Sequence, residues 1–448
     1  MCKHLVITLI FSLVLSACSM TPGYQRPEID MPEGWSAVSD TARPPQQNEF
    51  PFWQEFANED LNRVVNVALA QNLDLQAALH RIEQARAQAR IAGAALLPAI
   101  DASGGANQNY QEVGNTSRWQ GIATLNYELD LWGKNRSQAE AANYRARASQ
   151  FDREALRLVI TTDTTVLYTQ ILGFTERIRV AETNLKNAEE VLRIIEARYR
   201  EGGVSALEVS QQKVAVNDIR AALTTLIEQR TTTLNALAIL LGQAPQHFDG
   251  LESELALLRA PTVNLTPPAS LLTARPDIQS AEAGLLAANA DIGAARAAFF
   301  PSLKLGTDTS LVATGFGNPA TAALSLASNV LAPIFSGGRL EGNLENVTAR
   351  QKELAAQYQQ TVLTAFREVE DALAIRKSTD QQAALTRESV QEARNAYIIA
   401  KARFDAGSID YLTLLETQRS LSQAEDEQIV ATVAQIEAFV QLRKALGA

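Results

Sequence analysis

Along most of this chain apolar residues return every three or four positions, over runs far longer than a globular helix needs. From Glu59 to about Leu97, the residues Leu61, Val64, Val65, Ala68 and Leu69 keep helical spacing. Pro98 ends that run. Two later stretches, 134–201 and 339–406, contain no proline and one interior glycine each, Gly173 and Gly342. At about 1.5 Å per residue each predicts a rod of roughly 100 Å, where a mean helix has about 11–12 residues. Shorter helical runs follow each, at 205–241 and 409–446.

In two places the period drops to two. Over 121–131, Leu125, Tyr127, Leu129 and Leu131 share one face, and Thr124, Asn126, Glu128 and Asp130 the other. Its partner at 99–110 alternates weakly, and 112–117 reads as the loop between them. Over 303–311, Leu303, Leu305, Thr307, Thr309 and Leu311 oppose Lys304, Gly306, Asp308 and Ser310, with a loop at 313–319 and a return at 322–335. About ten residues, apolar on one face and polar on the other, is the pattern of a transmembrane β-strand. Two acids on the polar face, Glu128 and Asp130, point it towards water. Taken alone, the pattern also fits a soluble hairpin.

The same landmarks occur twice, in the same order. Leu96, Leu97 and Pro98 return as Phe299, Phe300 and Pro301, 203 residues on, and 74–78 returns as 277–281 at that offset. Residues 130–136 align with 333–339, again at 203. After a two-residue slip, 197–207 is echoed by 402–412 at 205, and Leu241–Gly242 by Leu446–Gly447. Two tandem copies are the economical reading. They span 59–242 and 269–448, joined by a linker at 243–268 with four prolines, expected to pack outside the helical body. Each copy reads helix, hairpin (98–132 and 301–335), long helix, sharp turn (202–205 and 407–410), helix. A glycine at each turn can take the left-handed conformation that closes a helix.

The two shorter helices of a copy nearly match its long one in length, which predicts four rods and four strands per chain. Four strands cannot close a membrane barrel, whose smallest form has about eight. An open edge in lipid leaves backbone groups without partners. The chain must therefore share its barrel, as a dimer with eight strands or a trimer with twelve.

Composition narrows the choice. Net charge is −10 and no basic block stands out, so nucleic acid is not an expected partner. At the N-terminus Lys3, the apolar run 5–14 and Leu15-Ser16-Ala17 form a signal peptide, residues 1–17, before Cys18. Once it is removed, no apolar run of membrane-helix length remains, so any crossing falls to strands. Residues 18–58, rich in proline, read as an extended tether. The histidines are His4, His80 and His247, and no nucleophile elbow, phosphate loop, Cys-x-x-Cys or paired-histidine motif is present. His80, among arginines and glutamines, reads as solvated. No catalytic residue, metal or cofactor is expected.

Leu-Ser-Ala-Cys resembles a bacterial lipobox, which implies cleavage before Cys18 and acylation of its sulfur and of the new amino terminus, enough for stable anchoring in lipid. Ser19 resembles the outer-membrane sorting pattern. Together with Arg-Pro-Asp-Ile at 275–278, Ala-Ala-Arg-Ala-Ala-Phe-Phe-Pro at 294–301 and Tyr-Leu-Thr-Leu-Leu-Glu-Thr-Gln-Arg at 411–419, nearly the whole mature chain resembles the TolC/OprM family. These are the lipoprotein outer membrane factors of tripartite efflux pumps. The resemblance implies an α+β membrane protein: a homotrimer with a twelve-stranded β-barrel continuous with a periplasmic α-barrel, and an equatorial belt made by the linker and chain ends. It also implies a periplasmic adaptor and an inner-membrane pump, of the RND type, as partners.

Position by position, Leu412, Glu416 and Arg419 match the family's periplasmic constriction. Leu412 would form an apolar ring and Glu416 a ring of carboxylates suited to cations. Arg419 would pair with Glu416 or with a neighbouring helix. Glu416 stands where many relatives have aspartate, and Asp410 is a second acidic candidate nearer the turn. Glycines Gly202, Gly203 and Gly407 read as turn formers, with Val204, Ser205, Ser408 and Ile409 as the adaptor contacts. The expected function is a passive exit duct for small molecules. A protein-secretion duct and a non-conducting anchored scaffold are the alternatives.

Overall fold

A computed structural model describes residues 20–36, 51–110, 116–247, 251, 253–261, 265–314 and 319–448. The signal segment and Cys18 lie outside the described residues, as do 111–115 and 315–318 of the hairpin loops. The principal elements are α1 (Glu59–Gln71), α2 (Leu73–Ala94), β1 (Ala99–Asn109), β2 (Thr116–Leu129), α3 (Lys134–Arg200) and α4 (Ala206–Leu240). The second copy supplies α5 (Pro276–Ala297), β3 (Ser302–Thr314), β4 (Thr321–Leu331), α6 (Arg339–Asp405) and α7 (Tyr411–Leu446). Among the described residues no helix is long and apolar enough to cross a membrane. The chain divides into two units, 1–29 with 78–152 and 277–361, and 30–77 with 153–276 and 362–448.

The first unit holds the sheet. All four strands run antiparallel in the order β1-β2-β3-β4, so the two hairpins join through β2 and β3. Pairing sorts the side chains by face. One row carries Ile100, Leu125, Thr307 and Leu326, and another Ala102, Ala123, Thr309 and Leu324. On the opposite face lie Asp101, Thr124, Asp308 and Ser325 in one row, and Glu128, Lys304 and Asn329 in another. Thr116, Ser117, Ala313 and Thr314, expected in loops, are strand residues, because β1 pairs with β2 as far as Asn109 and Thr116, and β2 with β3 as far as Arg118 and Thr314. β4 stops at Leu331 rather than reaching Phe335, since Pro333 has no N–H to give a ladder. Asp130 was expected to face water beside Glu128. Instead its carboxylate accepts from the backbone N–H groups of Asn135 (3.0 Å) and Arg136 (2.8 Å), capping α3.

The repeat is real at the level of backbone, with one correction. Alignment at 203 pairs Gly133 with Ser336. In the structure the left-handed glycines before α3 and α6 are Gly133 (φ 74°) and Gly338 (φ 82°), an offset of 205. The two-residue slip thus falls before the long helices, where the second loop, 332–338, is longer than the first, 130–133.

The N-terminal segment lies along α5 in this unit. A Cβ on Gly293 would collide with Thr21, and the Asn289 amide donates to the Pro22 carbonyl at 2.8 Å. Arg26 grips Glu282 through two bonds of 2.8 and 2.9 Å, and the Tyr24 hydroxyl donates to the same carboxylate at 3.2 Å.

The second unit carries the larger apolar core. Phe52, Trp53 and Phe56 pack with Leu61, Val64 and Val65 of α1, Tyr168, Ile171 and Leu172 of α3, and Ile436, Phe439 and Val440 of α7. Leu255 and Leu258 of the interrepeat linker join that cluster rather than lying wholly outside it. Asn58 ties the region together. Its Oδ1 caps Leu61 N–H at 2.8 Å and accepts from the Tyr168 hydroxyl at 3.2 Å.

The first helical run of each copy breaks where pattern alone made it continuous. Asn72 (ψ 125°) separates α1 from α2, and Arg275 (ψ 119°), 203 residues later, separates the single turn Leu271–Ala274 from α5. Pro276 forces the second break, because the residue before a proline is driven out of the helical region. At the first, Asn72 caps Leu75 N–H at 3.0 Å while its amide donates to Leu240 O, also at 3.0 Å. Arg275 likewise donates to Ala445 O at 3.0 Å. The ends of α4 and α7 therefore meet the two breaks in the same way.

Candidate functional site

Each long helix ends in the same hydrogen-bonded turn. Gly203 N–H bonds Arg198 O at 2.8 Å and Gly202 N–H bonds Tyr199 O at 3.0 Å. Ser408 to Arg403 (2.9 Å) and Gly407 to Phe404 (3.0 Å) repeat the pair 205 residues on. This is the Schellman closure, and it puts Gly202 (φ 76°) and Gly407 (φ 74°) in the left-handed region. The next helices start with different N-cap residues at equivalent positions. Ser205 and Glu208 form a capping box before α4. Asp410 caps α7, accepting from the Thr413 N–H at 2.9 Å and the Thr413 hydroxyl at 2.6 Å. Those bonds, the hydroxyl first, lower the Asp410 pKa.

Beneath the turns Val191, Ile195, Ala215, Ala400, Phe404, Tyr411, Leu414 and Leu415 are buried together. Val204 and Ile409, expected as adaptor contacts, pack half-buried against this cluster, whereas Gly202, Gly203, Ser205, Gly407 and Ser408 are exposed. The two turns are locked to each other. Arg198 lies 4.5 Å from the centroid of the Phe404 ring, and the Tyr411 hydroxyl donates to Gln212 Oε1 at 2.5 Å. Burial pushes the Tyr411 hydroxyl up to about 12.

Leu412, Glu416 and Arg419 all lie exposed on α7, at positions i, i+4 and i+7, so they share one helical stripe, while Leu414, Leu415 and Gln418 face inward. Among the described residues neither Glu416 nor Arg419 has an ion-pair partner within the chain, so of the two pairings open to Arg419 the one with Glu416 is not formed in the single chain. Leu412 is 50% exposed, and Leu207, its equivalent at the other turn, is 64% exposed. Leu207 escaped the sequence reading, although the 205 offset already matched it to Leu412. Higher up, α3 is tied to α7 by Arg177 and Asp426 at 2.6 and 3.0 Å and by Gln170 and Glu437 at 2.8 Å. His80 is exposed, 3.0 Å from Glu83. Among the described residues no group of acids, histidines and cysteines is placed to hold a metal.

Duplicated helical hairpins and one amphipathic four-stranded sheet in the same chain define a class, the outer-membrane channel built from tandem repeats. The Campylobacter jejuni CmeC outer membrane channel has this fold, with a TM-score of 0.87 and 26% identity over 96% of this chain and 95% of that one. The pyoverdine export outer membrane protein OpmQ of Pseudomonas aeruginosa is 35% identical over 97% of this chain and 94% of its own length. The toluene efflux pump outer membrane protein TtgF of Pseudomonas putida is 32% identical over 98% and 96%. The family model for outer membrane efflux proteins matches residues 64–243 and 268–448, and the chain belongs to that family. It is an outer-membrane efflux channel.

Proposed function

We propose that the chain is the exit duct of a tripartite efflux system, conducting small molecules passively outward. Three copies would close a twelve-stranded barrel over a periplasmic tube of helices. A periplasmic adaptor and an inner-membrane pump of the RND type would deliver the cargo, and an acylated Cys18 would anchor each copy in the outer membrane. The sheet is the observation that carries this reading. It has one apolar face, one face with Asp101, Asp308 and Glu128, and outer strands β1 and β4 that pair on one side only. A lipid-facing sheet needs its edges closed, and only further copies supply strands of the same design. Relatives named for pyoverdine and for toluene favour small molecules over protein as cargo.

The gate lies on the stripe of α7 below the second turn. Leu412 would form the apolar ring and Glu416 the carboxylate ring, with Arg419 available to a neighbouring subunit because it has no ion pair among the described residues of its own chain. Adaptor contact would come from Gly202, Gly203, Ser205, Gly407 and Ser408, with Val204 and Ile409 stiffening the turns from beneath. Single-channel conductance in planar bilayers tests this. The wild type should give a small, cation-preferring conductance, and Glu416→Ala with Arg419→Ala should raise it severalfold. An inserted trimer that conducts in neither form would overturn the duct. A conductance unaffected by the two substitutions would move the gate elsewhere.

A further inference from the structure

Strands β2 and β3 pair antiparallel with Leu129 opposite Leu303, so β2 leaves the sheet beside the point where β3 enters it. The segment after β2 uses that neighbourhood. Trp132 stacks on Phe300, ring centroids 4.8 Å apart and planes 30° from parallel, and its indole N–H donates to Pro301 O at 2.7 Å. The exit of the first hairpin is thereby fastened to the entry of the second.

The other exit and the other entry are bare. Ile334 and Phe335, between β4 and α6, are each 92% exposed, the most of any large apolar residue among those described. Pro333 and the left-handed Gly337 and Gly338 bracket them, which restricts where the loop can run. At the entry of β1, Leu97 is 68% exposed, and Leu97 and Pro98 correspond in the repeat to Phe300 and Pro301.

We infer that Ile334 and Phe335 of one copy pack on Leu97 and Pro98 of the next, repeating across the subunit boundary the fastening that Trp132 and Phe300 make within each chain. The inference rests on the shared barrel proposed above. Whatever strand pairs with β4 must enter the sheet beside the exit of β4, just as β3 enters beside the exit of β2. In a ring of identical copies that strand is β1, whose outer edge is equally unpaired and whose entry carries the exposed leucine and proline. The longer second loop, 332–338, has the reach for a contact with another chain.

The test uses the full-length protein with Leu97→Cys and Phe335→Cys, purified in detergent, its mass in solution measured first. A short bifunctional thiol reagent should then give covalent dimers and trimers on denaturing gels from the double variant and none from either single variant. A trimeric preparation that yields no cross-link, or only a cross-linked monomer, overturns the contact and leaves the trimer standing; that outcome would assign Phe335 to lipid instead. A monomeric wild type overturns both. Should the cysteines prevent assembly, Phe335→Ser is read instead. It should lower the temperature at which the trimer dissociates in detergent, and an unchanged temperature overturns the contact.

Discussion

Arg443 shows how much can depend on one residue that sequence pattern passes over. Its side chain is buried on α7, and Nη2 lies 2.5 Å from Glu55 Oε1. Burial pulls its pKa down and the Glu55 carboxylate pulls it back. Removing the acid alone leaves a buried charge without compensation. Glu55→Ala should therefore cost about 3–5 kcal/mol, and replacing both partners with apolar residues should recover most of it. Urea midpoints of the single and double variants would check this. Glu437 offers a pH-dependent counterpart. Burial pushes its carboxyl above 4.5, with the Gln170 amide opposing. The folded state then holds the proton more tightly than the unfolded one, so the charge costs stability above the folded pKa and nothing below the ordinary value. Glu437→Gln should raise the melting temperature at neutral pH, and the gain should vanish near pH 4. A gain that persists there would mean the charge was not its source.

At the scale of elements, the long helices were legible because proline-free alanine-rich sequence has few other options, and both end within a residue of where the pattern stops. The strands were legible only where the side chains alternate. β1, with Gly104 and Gly105 at its middle, left little to read, and the loop-side end of β2 is set by pairing with β1 while that of β3 is set by pairing across the repeat. The stripe of Leu412, Glu416 and Arg419 could be named from motif alone. That Val204 and Ile409 turn inward could not, because burial there depends on α6 and α7 meeting α3 and α4. Glycines with similar backbone angles also differ in ways that sequence hides. Gly407 (φ 74°) has nothing within 4 Å of a Cβ, whereas a Cβ on Gly242 (φ 68°) would collide with the Gln71 carbonyl. Gly407→Ala should cost about 1–2 kcal/mol, the strain of the left-handed region alone. Gly242→Ala should cost more, and thermal melts of the two variants would rank them.

For the whole molecule the two faces of the sheet make opposite demands. Leu326 stands on the apolar face, in the row of Ile100 and Leu125, while its neighbour Ser325 shares a row with Asp101 and Asp308. Leu326→Arg should cost about 2–4 kcal/mol if it faces the bilayer midplane, and reduce the yield of heat-resistant assembly. Ser325→Arg should assemble normally and weaken cation preference. Equal behaviour of the two would contradict a sheet with one side in lipid and one in water.

The breaks at Asn72 and Arg275 have a mechanical consequence. α3 and α6 each carry an uninterrupted hydrogen-bond ladder through 67 residues. At the two breaks the ladder thins, Asn72 Oδ1 takes the Leu75 N–H, and side-chain bonds from Asn72 and Arg275 reach Leu240 O and Ala445 O. Stiff struts thus stand beside compliant joints in the same molecule. Torque applied at the turns has an easier route through the joints than through the struts, because bending there deforms a few hydrogen bonds rather than a continuous helical ladder.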